Sequence, residues 1–498
     1  GKGMRVVADE SELEAAVESA RREADAAFGD GRIFLEKLLE RPRHVEVQIL
    51  ADAFGNMVHL GERDCSTQRR HQKVVEEAPS PIITAEMRAA MGDSALRLAR
   101  ATGYVNAGTV EFLFEGDAYY FLEVNTRLQV EHPVTELVTG VDLVRMQIEI
   151  AAGQRLAISQ EDVQLRGHAI EARVYAEDPD RRFLPAAGPV HIFRPPNGPG
   201  ARNDVGVAAG DAVTSFYDPL MAKLIVHAET RPLAVARLRD ALHRYDIAGP
   251  TTNLAFLRWI AGHPRFHDGR VDITFVDEEW QPSAGEGVPN EALIAAALAD
   301  ALGTSINDSQ PNSDAEARPD PWRVTSGWRA AGMSRTFAYS YAEHCWNVGV
   351  TPLADGTWQV VVGEDRYEAR VEAVVRGRMV FRLGSAVFEA RADSQPDART
   401  VSLDGRTYVL TRPTFDGGAQ GMNSGSDAGL NAPMPGTIVK IVVAEGQTVE
   451  AREPLVILEA MKMEHVIEAP HAGVVRSILY REGDLVPAGA PLVRLESP

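Results

Sequence analysis

An internal repeat near the end of the chain constrains the fold more strongly than any other feature of the sequence. Residues 436–459 match residues 473–496 in step: each copy begins with glycine, has Glu-Gly near its middle and contains Pro-Leu-Val before its final glutamate. Both copies alternate apolar and polar residues between glycine and proline turns, a pattern that predicts short antiparallel strands. Two such copies related by a pseudo-twofold axis predict a small flattened barrel or sandwich from which the link between them protrudes.

The link between the two copies contains Lys462, which lies between Met461 and Met463. A solvated surface charge is the usual state of a lysine. Inside a duplicated strand module, however, the run Glu459–His465 resembles the attachment motif of biotin carboxyl carrier domains. Lipoyl domains share the duplicated fold and also carry a modified lysine, but they lack the paired methionines. The resemblance covers residues 431–498 and implies biotin joined covalently to the side chain of Lys462.

The composition limits the classes of function that fit the chain. Its 498 residues are enough for several domains, and 45% hydrophobic with 24% charged residues is ordinary for a globular protein. The formal net charge of −20 argues against nucleic acid and anionic membranes as partners. We expect neither a membrane span nor a signal peptide. The two distant cysteines, Cys65 and Cys345, imply no disulfide framework, so we expect a cytoplasmic protein.

Changes in composition divide the chain into five predicted segments. A mixed α+β region is followed by an apolar helix with a polar linker, an antiparallel barrel or sandwich, a flexible tether and the repeat module. The predicted bounds of these segments are 1–280, 281–320, 321–414, 415–430 and 431–498. Within them we expect strands at 32–39 and 44–49, helices at 84–102 and 290–301, and a hairpin at 108–123.

Polar residues at every second position follow this hairpin. Glu111 and Glu123 lie on its two strands, and the same spacing continues through Asn125, Arg127, Gln129 and Glu131. In a strand, this spacing places the side chains on one face. A solvated face is the common form of such a pattern, but the intervening apolar residues place the strand pair inside a domain. Carboxylate and amide oxygens there suit Mg²⁺, which takes its remaining ligands from substrate phosphates.

A dense polar run and the first residues of the chain indicate anionic ligands. Residues 63–73 are rich in arginine, histidine and lysine and lie between predicted strands. Surface charge is the usual explanation, but beside a carboxylate strand such a loop suits a nucleotide phosphate and a small oxyanion. The opening Gly1-Lys2-Gly3 is similar to the tail of a glycine-rich phosphate loop, so we expect the chain to be a fragment of a longer protein.

Four motifs in unbroken order resemble the ATP-grasp biotin carboxylases. They are Glu36-Lys37, Arg69–Lys73, Glu123–His132 and Glu171–Arg173, and the resemblance extends over residues 1–280. It implies a multidomain α+β protein: a partial ATP-grasp biotin carboxylase, a middle antiparallel β-barrel and a C-terminal all-β biotinyl (hammerhead) domain. It also implies ATP, Mg²⁺ or Mn²⁺, bicarbonate and covalent biotin as the cofactors and substrates.

The resemblance also implies a role for individual residues. For the nucleotide, these are Glu36, the backbone of Lys37 and Leu39 at adenine, His44 near the ribose, Gln68 and His71 at the phosphates or ribose, and Gly1 and Gly3 in what remains of the phosphate loop. For the metal, they are Glu111, Glu123 and Asn125. For bicarbonate, they are Lys73, Arg127, Gln129 and the Val130 amide, with Glu131 as general base and Arg173 opposite the ureido oxygen of biotin.

These residue types fit the chemistry of biotin carboxylation. Bicarbonate must lose its proton to attack phosphorus, so it needs a carboxylate base beside it. Phosphoryl transfer needs positioning and neutralisation of charge, which magnesium and cationic side chains supply. A guanidinium facing the ureido oxygen stabilises the negative charge that makes the ureido nitrogen nucleophilic. Because the family's N-terminal subdomain and half of its glycine loop are missing, we expect this chain alone to be inactive.

The order of the segments resembles the α subunits of acyl-CoA carboxylases. Trp322-Arg323 and Gly327–Arg329 are similar to the middle domain of 3-methylcrotonyl-CoA carboxylases, which implies a role in leucine breakdown. The implied partners are a carboxyltransferase β subunit, a biotin protein ligase and further copies of the chain in a large α–β complex. An acetyl- or propionyl-CoA carboxylase α subunit is the alternative within this class. A carrier and assembly scaffold with an inert carboxylase portion is the alternative from a different class.

Overall fold

The computed structural model describes residues 4–282, 287–303, 334–341, 344–353, 355–375, 378–394, 398–412, 430–432, 436–460, 463–487 and 489–496. Gly1, Gly3 and Lys462 lie outside the described residues, as do the tryptophan motifs at 322–329 and most of the predicted linker and tether. Within the described residues, no helix is both long and apolar enough to cross a bilayer.

The described helices account for most of the predicted helical segments. They are α1 Leu13–Phe28, α2 Ala85–Ala101, α3 His132–Thr139, α4 Leu143–Ala151, α5 Arg231–His243, α6 Leu254–Gly262, α7 Pro264–His267, α8 Phe275–Glu279 and α9 Asn290–Leu302. Thr84 caps α2, because its side chain accepts a hydrogen bond from the backbone N–H of Met87 at 3.3 Å. The helices predicted at 84–102 and 290–301 are therefore confirmed.

One large antiparallel sheet organises the first part of the chain. The strands up to residue 248 are β1 Arg43–Ala51, β2 Met57–Arg69, β3 Gln72–Ala78, β4 Asn106–Glu115, β5 Ala118–Asn125, β6 His168–Tyr175, β7 Glu177–Asp178, β8 Leu184–Pro185, β9 Gly188–Pro189, β10 Ile192–Arg194, β11 Ala201–Val205, β12 Ala212–Val213, β13 Leu220–Ala228 and β14 Asp246–Ala248. Eight of them form the sheet in the order β11-β13-β6-β3-β2-β1-β4-β5. This order places β3 and β6, which are far apart in sequence, side by side at the centre.

Two strand predictions are wrong. Residues 32–39 form no strand, and Phe34 is 80% exposed, because the backbone of this segment pairs with none of the described strands. The strand face expected from Glu123 to Glu131 ends at Asn125, where β5 ends. The chain then turns, and α3 begins at His132 with a proline in its first turn. Arg127, Gln129 and Glu131 therefore lie on a connecting segment, not on the strand.

The middle β domain is a closed barrel of eight antiparallel strands. They are β15 Arg335–Tyr341, β16 His344–Pro352, β17 Trp358–Val362, β18 Asp365–Val375, β19 Arg378–Leu383, β20 Ala386–Ser394, β21 Ala398–Leu403 and β22 Arg406–Thr411. Helix α9 contacts strands from different parts of the barrel wall, and residues 292–299 are all buried. A helix that is apolar on every side has to be enclosed, so α9 fills the barrel.

Polar contacts join this barrel to the first part of the chain. Asp246, on β14, accepts a hydrogen bond from Arg378 Nη2 at 3.3 Å and another from Arg391 Nη2. The hydroxyl of Ser402 donates to the backbone oxygen of Ile247 at 3.2 Å. Together these contacts hold the wall of the barrel against the small two-stranded sheet formed by β10 and β14.

The C-terminal module has the duplicated architecture that the repeat predicts. Its strands are β23 Gly436–Ile441, β24 Thr448–Val449, β25 Pro454–Ala460, β26 Met463–Glu468, β27 Gly473–Ile478, β28 Leu485–Val486 and β29 Val493–Glu496. β28 of the second copy pairs with β23 of the first, and β24 of the first pairs with β27 of the second. This exchange of equivalent strands is the mark of a pseudo-twofold axis. Lys462 lies in the sequence between the paired strands β25 and β26.

Candidate active site

Three glutamates lie directly opposite one another across neighbouring strands of the large sheet. Glu46 on β1 is paired with Glu111 on β4, which is paired with Glu123 on β5. Because like charges at opposed positions repel, cations are needed beside them. Arg63 stands opposite Glu46 on β2 and donates from Nε to Glu46 Oε1 at 2.5 Å. This fully buried guanidinium neutralises one end of the row.

Lys73 neutralises the middle of the row. Its Nζ donates to Glu46 Oε2 at 2.6 Å, to Glu111 Oε1 at 3.0 Å and to Glu131 Oε1 at 2.6 Å. Burial lowers the pKa of Lys73, but the surrounding carboxylates, Glu46 first among them, raise it well above its ordinary value. Burial likewise raises the pKa of Glu46, yet Arg63 and Lys73 outweigh burial and hold it at about 2. Glu46 and Lys73 therefore stay ionised at neutral pH.

Glu131 lies between two cations. Its Oε1 accepts from Lys73, and its Oε2 accepts a hydrogen bond from Arg173 Nη2 at 2.9 Å. The backbone oxygen of the preceding residue, Val130, accepts from Lys223 Nζ at 2.7 Å. Helix α3 begins one residue after Glu131, so both ends of this short segment are held in place. The arrangement puts a carboxylate base beside two cations that can hold an oxyanion.

Two further buried acids stand behind Arg173. Arg173 Nε donates to Glu76 Oε1 at 2.6 Å, and Glu76 on β3 is paired with Glu171 on β6. Burial raises the pKa of Glu76 to about 7, although Arg173 opposes that rise. Burial and the neighbouring Glu76 raise the pKa of Glu171 well above its ordinary value. Glu171 therefore keeps its proton at neutral pH, whereas Glu76 loses its proton near pH 7 and then holds Arg173 as an anion.

The predicted metal ligands come together. Asn125 Nδ2 donates to Glu111 Oε1 at 3.0 Å and to Glu123 Oε1 at 3.2 Å. Gln129 Nε2 donates to the same Glu111 oxygen at 2.9 Å. Burial raises the pKa of Glu111, but the hydrogen bond with His44 and the charge of Lys73 keep it well below its ordinary value. An oxygen-rich donor set that includes the ionised Glu111 fits Mg²⁺, with substrate phosphates completing its coordination.

Some of the residues expected at the nucleotide lie beside the predicted metal ligands, and others lie away from them. Gln68 is buried and its Nε2 lies 2.7 Å from His44 Nδ1, which joins these two residues into one unit. Lys37 Nζ donates to the hydroxyl of Tyr120 on β5 at 3.0 Å. Leu39 is buried and His71 is exposed in the turn between β2 and β3. The exposed Glu36 precedes Lys37 on the same segment.

Arg127 is the predicted bicarbonate ligand that the structure separates from the Lys73–Glu131 cluster. It is exposed, and its Nη2 lies 3.4 Å from Asn125 Oδ1. Arg127 therefore lies beside the predicted metal ligand Asn125. Gln129, in contrast, is buried beside the cluster, where its Oε1 accepts from Arg63 Nη2 at 3.1 Å.

The sequence analysis did not identify Glu46 and Glu76 as site residues, and it placed Arg63 in a polar loop at 63–73. That loop prediction is wrong, because residues 63–69 belong to β2 and residues 72–73 to β3. In β1 the polar residues His44, Glu46 and Gln48 alternate with valines and isoleucine, the same signal that singled out the hairpin. A buried carboxylate on a strand of the central sheet needs a cation beside it. The alternation in β1 could therefore have identified Glu46 and its need for a cationic partner. The pairing of Glu76 with Arg173 depends on β3 and β6 lying side by side, which the sequence does not reveal.

Four protein families match successive parts of the chain. The families are described as "Carbamoyl-phosphate synthase L chain, ATP binding domain" at residues 1–159, "Biotin carboxylase C-terminal domain" at 171–278, "Methylcrotonyl-CoA carboxylase, alpha-subunit, BT domain" at 289–414 and "Biotin-requiring enzyme" at 428–495. The mitochondrial methylcrotonoyl-CoA carboxylase subunit alpha of Rattus norvegicus is 39% identical over 94% of this chain and 67% of its own length. The chain belongs to the α subunits of biotin-dependent carboxylases.

Relatives of this chain are named for different acyl-CoA substrates. The propionyl-CoA carboxylase alpha chain of Ruegeria pomeroyi is 40% identical over 94% of this chain and 72% of its own length. Among solved structures, the biotin carboxylase domain of Hydrogenobacter thermophilus 2-oxoglutarate carboxylase, in complex with MgADP and bicarbonate, is 46% identical. It covers 56% of this chain and 61% of its own length, with a TM-score of 0.54. The predicted fold class, biotin carboxylase family and cofactors are confirmed.

Biotin-dependent carboxylase α subunits are ATP-dependent ligases, and their cofactors and substrates are covalent biotin, ATP with magnesium, and bicarbonate. They work with carboxyltransferase β subunits. The matched ranges also give α9 and the barrel to one family, in agreement with the helix packed inside the barrel.

Proposed function

We propose that this α subunit carboxylates biotin attached to Lys462, using bicarbonate and ATP, and supplies the carboxylated carrier to a β subunit that acts on 3-methylcrotonyl-CoA. The observation that carries the first part is Glu131, held between Lys73 Nζ at 2.6 Å and Arg173 Nη2 at 2.9 Å. A base fixed between two cations suits an anionic substrate that has to lose a proton.

Each side chain of the cluster has a task in this proposal. Lys73 and the Val130 amide hold bicarbonate, with Gln129 and Arg127 at its edge, and Glu131 takes the bicarbonate proton as phosphoryl transfer proceeds. Bound magnesium neutralises charge on the nucleotide phosphates, and Glu111, Glu123 and Asn125 would hold it. Carboxyphosphate then breaks into carbon dioxide and phosphate, and the phosphate takes the proton of the ureido nitrogen. Arg173 stabilises the resulting negative charge on the ureido oxygen while the nitrogen attacks carbon dioxide.

The nucleotide contacts remain those that the sequence predicts. Glu36, Lys37 and Leu39 hold adenine in this proposal, and His44, Gln68 and His71 lie near the ribose and phosphates. The position of Lys37 over the ring of Tyr120, 4.8 Å from its centroid, supports a fixed backbone at this point. The assignment of Gly1 and Gly3 to the nucleotide phosphates stays a prediction from the sequence, because both residues lie outside the described part of the chain.

The choice of acyl-CoA rests on the middle domain and on the relatives. The barrel region matches a family described for methylcrotonyl-CoA carboxylase, and the rat relative has the same activity in its name. The second candidate is propionyl-CoA, because the Ruegeria pomeroyi relative has nearly the same identity and coverage. We propose that the barrel mediates assembly with the β subunit in a complex of several α and β copies. We further propose that a biotin protein ligase modifies Lys462 and that the complex is cytoplasmic.

The test uses the α subunit isolated with its natural partners. Biotin-dependent ATP hydrolysis is expected, and a panel of acyl-CoAs should show 3-methylcrotonyl-CoA as the preferred acceptor of labelled carboxyl groups. Preference for propionyl-CoA or acetyl-CoA would favour the second candidate. A protein that carries biotin but hydrolyses no ATP in its presence would support an assembly scaffold with an inert carboxylase portion.

A further inference from the structure

We propose that the carrier module docks for carboxylation on a ridge of the carboxylase, here called the docking ridge, formed by Arg70 in the β2–β3 turn and by Leu184 on β8. The proposal rests on the proposed function, because docking there matters only if carrier-linked biotin is carboxylated at the Lys73–Glu131 site. The occupant is the C-terminal repeat module, and three observations in the structure support this position.

The first observation is an apolar contact. Leu184 is partly buried and packs against the apolar core of the carrier module, which includes Leu430, Leu455 and Leu492. Leu184 belongs to β8, a strand of two residues in the carboxylase region. Removing apolar surface from water is the main favourable term in domain association, so this leucine gives the module an anchor.

The second observation concerns His465 on β26, three residues after Lys462. Its Nε2 is buried and has no hydrogen-bond partner within the described part of the chain. Burial lowers the pKa of His465, and the positive charge of Arg70 lowers it further, which places Arg70 near the ring. A neutral imidazole nitrogen can accept a hydrogen bond from a guanidinium, whereas a protonated ring cannot. Arg70 can therefore donate to the unpaired Nε2 of His465 when the module docks.

The third observation is that both residues of the docking ridge are fixed to the same buried ion pair. Arg69 donates to Glu177 from inside the protein, with its guanidinium 4.7 Å from the ring centroid of Phe183. Arg70 follows Arg69, and Leu184 follows Phe183. The turn itself is tight, because Arg70 has φ 46 in the left-handed region. The ridge is therefore preorganised, which lowers the cost of docking.

The position of the docking ridge suits delivery of biotin. Lys73 is three residues after Arg70, and Lys462 is three residues before His465. Three residues of chain span at most about 11 Å, so an Arg70 that lies near His465 brings the attachment point and the active site close together. The long arm made by the lysine and biotin can cover the remaining distance.

The experiment compares two biotin substrates in the full subunit with its natural partners. The first readout is incorporation of labelled bicarbonate into biotin on Lys462 in a single turnover. The second is carboxylation of free biotin, followed by ADP release in a Lys462→Arg background. The docking variants are Leu184→Asp and Arg70→Ala, and the control is Leu233→Asp, an exposed leucine on α5. Intact mass confirms that the first series is equally biotinylated.

The proposal predicts that Leu184→Asp slows carboxylation of Lys462-linked biotin by about tenfold, as loss of an interface anchor typically does, and that Arg70→Ala slows it severalfold. Free-biotin carboxylation should change by less than about twofold, and Leu233→Asp should change neither rate. Unchanged carboxylation of linked biotin in both docking variants would overturn the proposal, as would equal losses on both substrates. Absence of free-biotin carboxylation in the Lys462→Arg parent would count instead against the proposed function.

Discussion

Replacing Glu76 with glutamine tests how the site holds Arg173. Glu76 is fully buried, accepts from Arg173 Nε at 2.6 Å, and has its pKa raised from 4.5 to about 7 by burial against the opposing effect of Arg173. A carboxyl whose pKa is higher in the folded than in the unfolded protein stabilises the fold fully at pH values below its unfolded pKa. This contribution is lost as pH rises through the folded pKa. Between pH 5.5 and pH 8 the contribution of Glu76 to the free energy of unfolding therefore falls by about 2 kcal/mol. Glu76→Gln removes this pH dependence.

The same variant should lower the rate at which biotin is carboxylated. Arg173 Nε exchanges a charged acceptor for a neutral one, and hydrogen bonds to charged groups are worth roughly 1 to 2 kcal/mol more. About a tenfold loss in biotin-dependent ATP hydrolysis is therefore expected at pH 8. ATP hydrolysis without biotin should fall less, because Arg173 acts on the charge that develops on biotin. The ratio of the two rates is the readout that a purely structural role would not change.

Glu77→Gln is the matched control, since Glu77 lies next to Glu76 on β3 and is also buried. Burial raises the pKa of Glu77, but His168 and Arg231 outweigh burial and lower it to about 2. The ionised Glu77 stabilises the fold at pH values above its unfolded pKa of 4.5, and this contribution is lost as pH falls from there through the folded pKa of about 2. The contribution is therefore constant between pH 5.5 and pH 8. Glu77→Gln should lower the melting temperature of the carboxylase at both pH values, because the Glu77 carboxyl itself is ionised throughout this range.

The measurement is the melting temperature of the carboxylase transition at the two pH values, together with the two hydrolysis rates. Glu76→Gln should reduce the fall in melting temperature between pH 5.5 and pH 8 and lower the ratio of biotin-dependent to biotin-independent hydrolysis. If Glu76→Gln keeps the wild-type pH dependence and the wild-type ratio, the reasoning about the Glu76–Arg173 pair is refuted.

Three further predictions concern the modification, the metal and the assembly. Lys462→Arg coexpressed with a biotin ligase should lack the mass of one biotin that the parent protein gains, and a biotin that persists would assign the attachment to another residue. Glu123→Gln should raise the magnesium concentration needed for half-maximal ATP hydrolysis by about tenfold, because one ionised ligand is lost; an unchanged requirement would exclude Glu123 from the metal site. Deleting residues 288–412, which include α9 and the barrel, should abolish copurification with the β subunit while free biotin is still carboxylated, and a complex that survives would place the docking elsewhere.

The fold was predictable where a local pattern repeats or alternates over enough residues. The duplicated module is the clearest case, because matching glycines, Glu-Gly turns and Pro-Leu-Val runs fix where each strand begins and ends. Helix α9 was also predictable as a helix, but its uniformly apolar surface shows its enclosure only once the barrel around it is known. Residues 32–39 show the limit, since their composition fits a strand and no neighbour pairs with them.

The site residues were predicted mainly from motifs shared with the family. The spacing of polar residues along the chain predicted fewer of them. The interpretation of Glu111, Glu123 and Asn125 as one cluster holds in space because these residues lie on paired strands. Glu131 reaches the cluster by a different route, through a turn that precedes α3. The contacts of Arg173 with Glu76 and Glu131 depend on the strand order of the sheet, which is a tertiary property that no local sequence pattern contains.

The most direct test of the central claim is the rate at which labelled bicarbonate enters biotin on Lys462 in the Glu131→Gln variant of the full subunit. Glutamine keeps the size of the side chain and one acceptor oxygen for Lys73 or Arg173, but it cannot take a proton from bicarbonate. The rate should fall at least about a hundredfold, as loss of a general base typically causes, while ATP binds with nearly unchanged affinity. Near-normal incorporation of label, or loss of ATP affinity in its place, would contradict the role of Glu131 as the base.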